Sequence, residues 1–99
     1  MTAPDITTPG LDDLLQEHPA WTVAHGKLRR EFLFRDFVAA FGFMTKVALL
    51  AERAGHHPEW SNVYNRLTVE LTTHDAGGIT EKDVALARQL EALLSAGGT

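Results

Sequence analysis

The chain is 99 residues long, 44% hydrophobic and free of cysteine, with a formal net charge of -4. That length suits one compact α+β or similar domain and is too short for two independent cores, while the mild acidity gives no broad basic footprint for a phosphate backbone, so direct nucleic-acid binding is not expected. The lack of cysteine excludes disulfides, thiolate nucleophiles and thiolate-based zinc or iron–sulfur sites, so any reactive group must be of another kind.

The opening MTAPDITTPG has neither the basic start nor the apolar run of a secretory signal, and no later apolar stretch reaches bilayer-spanning length. A cytoplasmic protein without membrane attachment is expected. The whole of 1–99 reads as one domain, with 1–7 and 96–99 having the composition of flexible ends. Thr8-Pro9 has the form of a helix N-cap followed by proline at the first helical position, and Leu11, Leu14 and Leu15 keep helical spacing until His18-Pro19 ends the run. Trp21 and Val23 then alternate with polar neighbours and Gly26-Lys27 punctuates. Beyond it Leu28, Arg30, Phe32 and Phe34 alternate with Arg29, Glu31 and Leu33, which predicts a β-hairpin.

Asp36 is placed to cap the longest helix, in which Phe37, Phe41, Met44, Val47, Ala48 and Ala51 follow the i, i+3, i+4 rhythm. Gly55 supplies its stop and Pro58 prevents resumption. Gly42 inside this helix costs about 1 kcal/mol against Ala, which suggests close packing on a neighbour. A second hairpin follows from Trp60 to Tyr64 and from Leu67, Val69 and Leu71 alternating with Arg66, Thr68, Glu70 and Thr72, with its pivot near Asn65-Arg66. Thr73 to Gly78 is a loop. Thr80 and Asp83 have capping-box spacing, with Asp in place of Glu, and the last helix buries Leu86, Leu90, Leu93 and Leu94.

The predicted order is α-ββ-α-ββ-α, an α+β fold. Because each helix has one apolar stripe to hide, two hairpins alternating with helices suit a four-stranded antiparallel sheet with helices packed on one face. The edge strands could pair with another subunit, so a homo-oligomer fits the geometry.

Three of the five histidines fall in two loops that this fold could bring together, His56-His57 after the long helix and His74 after the last strand. Neutral imidazole accepts a proton and imidazolium donates one near neutral pH, so histidines around one cavity suit a reaction, such as dehydration, that removes one proton and supplies another. The plainer alternative is a polar surface turn of no consequence. Glu52 lies in the last turn of the long helix, at the negative end of the dipole; orienting an imidazole would explain it, and so would a solvated charge or a pair with Arg53 or Lys46. Asp83 is read mainly as a cap at the start of the last helix. Trp60 and Tyr64 could stack on a flat heterocycle, although strand aromatics more often serve a core or an interface. His18 and His25 are read as solvent-facing. Three imidazoles could also bind zinc, but adjacent side chains point apart unless a turn bends them together, and no His-x3-His pair lies on one helix, so no metal is expected.

The run Glu52-Arg53-Ala54-Gly55-His56-His57-Pro58-Glu59-Trp60, then Val63-Tyr64-Asn65, Leu71-Thr72-Thr73-His74-Asp75 and Gly77-Gly78-Ile79-Thr80 leading to Asp83, strongly resembles the pterin-4a-carbinolamine dehydratase family. The resemblance runs from about Leu11 to Leu94. A lone His-His-Pro is weak evidence; the acid four positions before it, the aromatic after it and the later Thr-His-Asp make the match specific. Gly55 departs from the commonest pattern, since many relatives place an acidic or amide side chain there.

The resemblance implies a compact α+β fold, in agreement with the order above, and an activity that composition and periodicity do not show. Members dehydrate 4a-hydroxytetrahydropterin, the product left by pterin-dependent aromatic amino-acid hydroxylases, to quinonoid dihydropterin and water, with no metal or organic cofactor. On that resemblance His56 and His74 perform acid–base work and His57 helps bind and position the pterin. Pro58, Thr73, Asp75 and Ala76 would line the pocket with the histidines, and Glu52, Trp60 and Asp83 would support it. The implied partners are a small pterin substrate, a second or further copies in a homodimer or homotetramer, and an aromatic amino-acid hydroxylase. Two other readings compete. One is a protein-interaction module, because animal relatives also act as dimerisation cofactors for a homeodomain transcription factor; the other is an accessory role in another pterin or molybdopterin pathway. Retention of all three histidines favours catalysis, since an interaction-only descendant has no physical need of them.

Overall fold

In the computed structural model, residues 8–97 are described, and the elements run α1 (Leu11–Glu17), β1 (Thr22–Ala24), β2 (Lys27–Leu33), α2 (Phe37–Ala54), β3 (Glu59–Val63), β4 (Arg66–Leu71), a 3-10 turn (His74–Ala76) and α3 (Glu81–Gly97). This is the predicted α-ββ-α-ββ-α order. The flexible ends expected at 1–7 and 98–99 lie outside the described residues, whereas Ala96 and Gly97 belong to α3.

The strands form one antiparallel sheet in the order β1-β2-β4-β3. Register sets the core: Leu28 faces Leu71, Arg30 faces Val69 and Phe32 faces Leu67 across β2 and β4, so period-two alternation delivers these side chains to one face. Leu28, Phe32, Leu67, Val69 and Leu71 are all buried and join Leu11 and Leu14 of α1, Phe43 and Val47 of α2, and Leu86 and Leu90 of α3 in a single cluster. Each such side chain contributes about 1.5–3 kcal/mol on burial. The opposite sheet face carries charge, with Lys27 paired to Glu59 at 2.5 Å and Arg29 to Glu70 at 3.5 Å.

Arg30 brings a charged group onto the apolar face. Arg30 Nη1 lies 2.8 Å from Glu91 Oε2, which also accepts from Trp21 Nε1 at 2.8 Å, and the guanidinium sits 4.1 Å over the Phe32 ring. Burial pulls the Arg30 pKa below its ordinary value, with Glu91 opposing the shift.

Several local expectations need correction. Helix α1 begins at Leu11 rather than Pro9, with a left-handed Gly10 (φ 83) at its N-cap; the Thr8 hydroxyl donates to the Ile79 carbonyl at 3.1 Å instead of capping. The first hairpin pivots on His25-Gly26, one residue earlier than expected, because both adopt the positive φ (55 and 75) that a two-residue type I′ loop requires. The second pivots on Tyr64-Asn65, again one residue earlier, and Asn65 Nδ2 donates to the Phe34 carbonyl at 2.9 Å, tying the turn to the end of β2. Helix α2 has the predicted Asp36 cap, whose carboxylate accepts from Ala39 N–H at 2.8 Å, but its buried stripe is Ala40, Phe43, Val47 and Ala51. Phe37 and Phe41 are about half exposed, and Ala48 faces outward. Gly42 is exposed, and a methyl group there would meet nothing within 4 Å, so it does not mark a close approach. In α3, Leu86 and Leu90 are buried while Leu93 and Leu94 are only partly so.

Candidate active site

The end of α2 fixes the first histidine loop. Gly55 takes the left-handed conformation (φ 66); its N–H donates to the Glu52 carbonyl at 3.2 Å and the His56 N–H to the Ala51 carbonyl at 3.1 Å. This Schellman arrangement satisfies the last carbonyls of the helix and turns the chain sharply, so His56 leaves the helix axis at a fixed angle. The second loop follows β4. Thr73 bridges to Gly78, with Thr73 N–H reaching the Gly78 carbonyl at 2.9 Å, and the 3-10 turn closes on a left-handed Gly77 (φ 77). His74 stands at the start of that turn.

Asp83 binds the two loops together. Its side chain is fully buried, the only polar or charged one so classed among the described residues. Oδ2 accepts from the Thr80 N–H at 2.9 Å, which is the capping role expected of it, and also from the Thr73 hydroxyl at 2.9 Å. Oδ1 lies 2.5 Å from His56 Nε2. A carboxylate taken out of water costs several kcal/mol unless its oxygens are occupied, so this one is stable only with the His56 loop, the Thr73 loop and the first turn of α3 all in place. The sequence reading missed the contact with His56.

Each of the three imidazoles meets a carboxylate at Nε2. His57 Nε2 is 2.9 Å from Glu52 Oε1, the supporting contact anticipated at the helix end, and His74 Nε2 is 3.0 Å from Glu59 Oε2. An ionised carboxylate only accepts, so it selects the ring tautomer with hydrogen on Nε2 and leaves Nδ1 for a ligand. The pairs differ in rigidity. The His56 side chain is 12% exposed, against 61% for His57 and 78% for His74, so His56 is locked while the other two rings hold by single exposed contacts.

All three rings line one open cleft of about 420 Å3, with Gly55, His56 and His57 on one side, Thr72, Thr73, His74 and Asp75 on the other, and Lys82 at the edge. Among the residues expected to line it, Pro58 and Ala76 do not; Ala76 borders an adjoining hollow of about 360 Å3 that shares Thr73, Asp75 and Lys82 with the cleft. Trp60 packs against the core, which was the plainer of its two readings, and Tyr64 is exposed at a hairpin tip. Thr72, Lys82 and Glu59 were not anticipated. Lys82 had a signal, since a cation in the first turn of a helix opposes the dipole and invites a reason, as Glu52 does at the other end. Among the described residues no three His, Asp or Glu side chains are grouped to hold a metal ion, and no helix is long and apolar enough to cross a membrane.

Paired imidazoles of this kind can move protons to and from one small molecule. Comparison with known proteins adds the family. The model of the family described as pterin 4 alpha carbinolamine dehydratase matches residues 4–93. A protein of Solibacter usitatus (strain Ellin6076), named "Putative pterin-4-alpha-carbinolamine dehydratase", is 64% identical over 83 residues, covering 84% of this chain and 87% of that one. A protein of the same name from Prochlorococcus marinus (strain MIT 9303) is 53% identical over 93 residues, covering 94% and 97%. A crystal structure from Brucella melitensis, described as a transcriptional coactivator/pterin dehydratase, superposes with a TM-score of 0.78 at 40% identity, covering 93% of this chain and 95% of that one. With nearly its whole length matched, the chain belongs to the pterin-4-alpha-carbinolamine dehydratase family.

Proposed function

We propose that this protein, acting as a single domain, dehydrates 4a-hydroxytetrahydropterin to quinonoid dihydropterin and water by histidine acid–base catalysis. The supporting observation is the cleft in which His56, His57 and His74 converge, each backed by a carboxylate at Nε2. In the reaction one imidazolium gives its proton to the departing 4a-hydroxyl oxygen. The C4a–O bond breaks as electron density from the ring expels water, and a ring nitrogen loses a proton to a neutral imidazole. His56 and His74 are the two proton-transfer groups in this reading, and His57 binds and orients the pterin. Thr73 and Asp75 line the same cleft and offer polar contacts to a bicyclic ring. Imidazole suits both tasks because its ordinary pKa near 6.5 leaves both protonation states populated near neutral pH. Such acid–base help is worth about 10²–10⁴-fold, with positioning supplying the rest.

The physiological role follows from the substrate: the enzyme would restore the pterin used by aromatic amino-acid hydroxylases in the cytoplasm. The test is the dehydration rate of chemically generated 4a-hydroxytetrahydropterin with wild type and His74→Ala. A fall of at least about 10²-fold is expected. Equal rates would defeat the enzyme reading.

A second reading concerns partners. Phe37, Val38, Phe41 and Leu49 leave an apolar stripe of α2 exposed, at 47, 77, 54 and 69%. Burying it between copies of the chain would give a homodimer or homotetramer, which sedimentation equilibrium decides. The same stripe is where a coactivator-like protein contact would form.

A further inference from the structure

Of the three carboxylates behind the imidazoles, Glu59 is itself braced. Oε2 faces His74 Nε2 at 3.0 Å while Oε1 lies 2.5 Å from Lys27 Nζ. Lys27 opens β2 and Glu59 opens β3, with β4 between them, so the ammonium reaches across a strand on the charged face of the sheet. That bridge has a local cause. Glu59 is directly opposite Glu70 in the β3–β4 register, and like charges so placed repel. Lys27 Nζ also lies 4.0 Å from Glu70 Oε1, so one cation offsets the repulsion and holds Glu59 towards His74. The Glu59 carboxyl is held below its ordinary pKa, first by the Lys27 hydrogen bond and further by His74, so it remains a pure acceptor at neutral pH. His74 needs such an anchor, because its ring is 78% exposed on a short 3-10 turn and Glu59 is its one side-chain hydrogen-bond partner among the described residues.

We propose that Glu59, braced by Lys27, is a positioning residue for His74: it fixes the plane of the ring and keeps hydrogen on Nε2, so that Nδ1 is presented to the substrate. The proposal rests on the dehydratase reading of the cleft. An exposed ring without this contact rotates freely, and the proximity gained by a fixed imidazole is lost. Carboxylate partners of metal-bound imidazoles matter by about 10- to 100-fold, and an effect of the same order is expected for a catalytic imidazole held the same way.

A double-mutant cycle on the intact protein tests this, with 4a-hydroxytetrahydropterin as the probe. Glu59→Ala is expected to lower kcat about 10- to 100-fold with KM changed less than about twofold. Glu59→Gln offers one acceptor oxygen where Lys27 and His74 each need one, so it should recover most of the rate only when Lys27→Met leaves that oxygen to Nε2–H, and Lys27→Met alone should fall between wild type and Glu59→Ala. In a His74→Ala background Glu59→Ala should have no further effect, because its only route to the substrate is gone. If Glu59→Ala folds poorly, the Lys27→Met and His74→Ala cycle reads the same coupling. An equal loss in both backgrounds overturns the positioning role and leaves the dehydratase reading intact. A His74→Ala enzyme with the wild-type rate overturns both.

Discussion

Replacing Asp83 with asparagine separates the shape of the site from its chemistry. Asn is nearly isosteric, so its carbonyl oxygen can still accept from the Thr80 N–H and the Thr73 hydroxyl, the two bonds that Oδ2 accepts at 2.9 Å. The other position changes kind. Where Oδ1 meets His56 Nε2 at 2.5 Å, an NH2 would now face the ring, and two donors cannot pair. The neutral ring must shift its hydrogen to Nδ1 and accept at Nε2, which exchanges a charge-assisted bond of about 1.5–3 kcal/mol for a neutral one of about 1 kcal/mol. A stability loss of about 1–2 kcal/mol follows, or a fall in Tm of about 4–8 °C per kcal/mol for a chain of this size. Activity should fall much further. As a base the neutral ring would carry a hydrogen on its free nitrogen where a lone pair is needed, and as an acid the imidazolium would lose the carboxylate that stabilises it; a wrong tautomer costs up to about 10⁴-fold in hydrolytic triads. Thermal unfolding gives the first quantity, steady-state dehydration the second, and 15N shifts of the His56 ring the tautomer. A variant that kept the wild-type rate with hydrogen still on Nε2 would show that the Asp83 carboxylate does not set the His56 tautomer.

Two glycines should respond in opposite directions by thermal unfolding. Gly55→Ala should destabilise by about 1–2 kcal/mol, because the left-handed φ of 66 penalises any Cβ although nothing crowds it, and should slow turnover by loosening His56. Gly42→Ala should stabilise by up to about 1 kcal/mol, since it sits inside α2 with open space around it. Glu91→Ala, checked by urea unfolding, should cost about 3–5 kcal/mol by leaving the largely buried Arg30 guanidinium without its counter-ion and Trp21 Nε1 without its acceptor. In acid, wild type should lose the stabilisation of the Lys27–Glu59 pair. The folded Glu59 pKa is depressed, so the contribution is complete above about pH 4.5 and fades as pH falls through the folded value, whereas Lys27→Met should show a shallower fall across that window.

The fold was legible because alternation and caps carry local physics. The second hairpin, the Asp36 cap and the Gly55 stop follow from the residues themselves. Helix α2 misled the choice of face because it is apolar nearly all round: Phe37 and Phe41 keep the helical period as well as Phe43 and Val47 do, and only packing against the sheet decides which stripe is inward. Thr8 misled for a similar reason, since a hydroxyl that looks like a cap is claimed by Ile79, 71 residues away. At the site, the gathering of the histidines could be anticipated from two loops that share one end of the fold. The sequence also placed Asp83 at a helix start. That its second oxygen reaches His56, 27 residues earlier, is a property of the folded chain, as is the Lys27–Glu59–His74 line across three strands.

A structure with a dihydropterin bound would show where the pterin sits relative to the three imidazoles. The bicyclic ring is expected within the cleft of His56, His57 and His74, with imidazole Nδ1 atoms facing its 4a carbon and ring nitrogens. A pterin seated elsewhere, such as the groove of about 170 Å3 between α2 and α3 beside Lys46, with the three imidazoles left facing solvent, would contradict it.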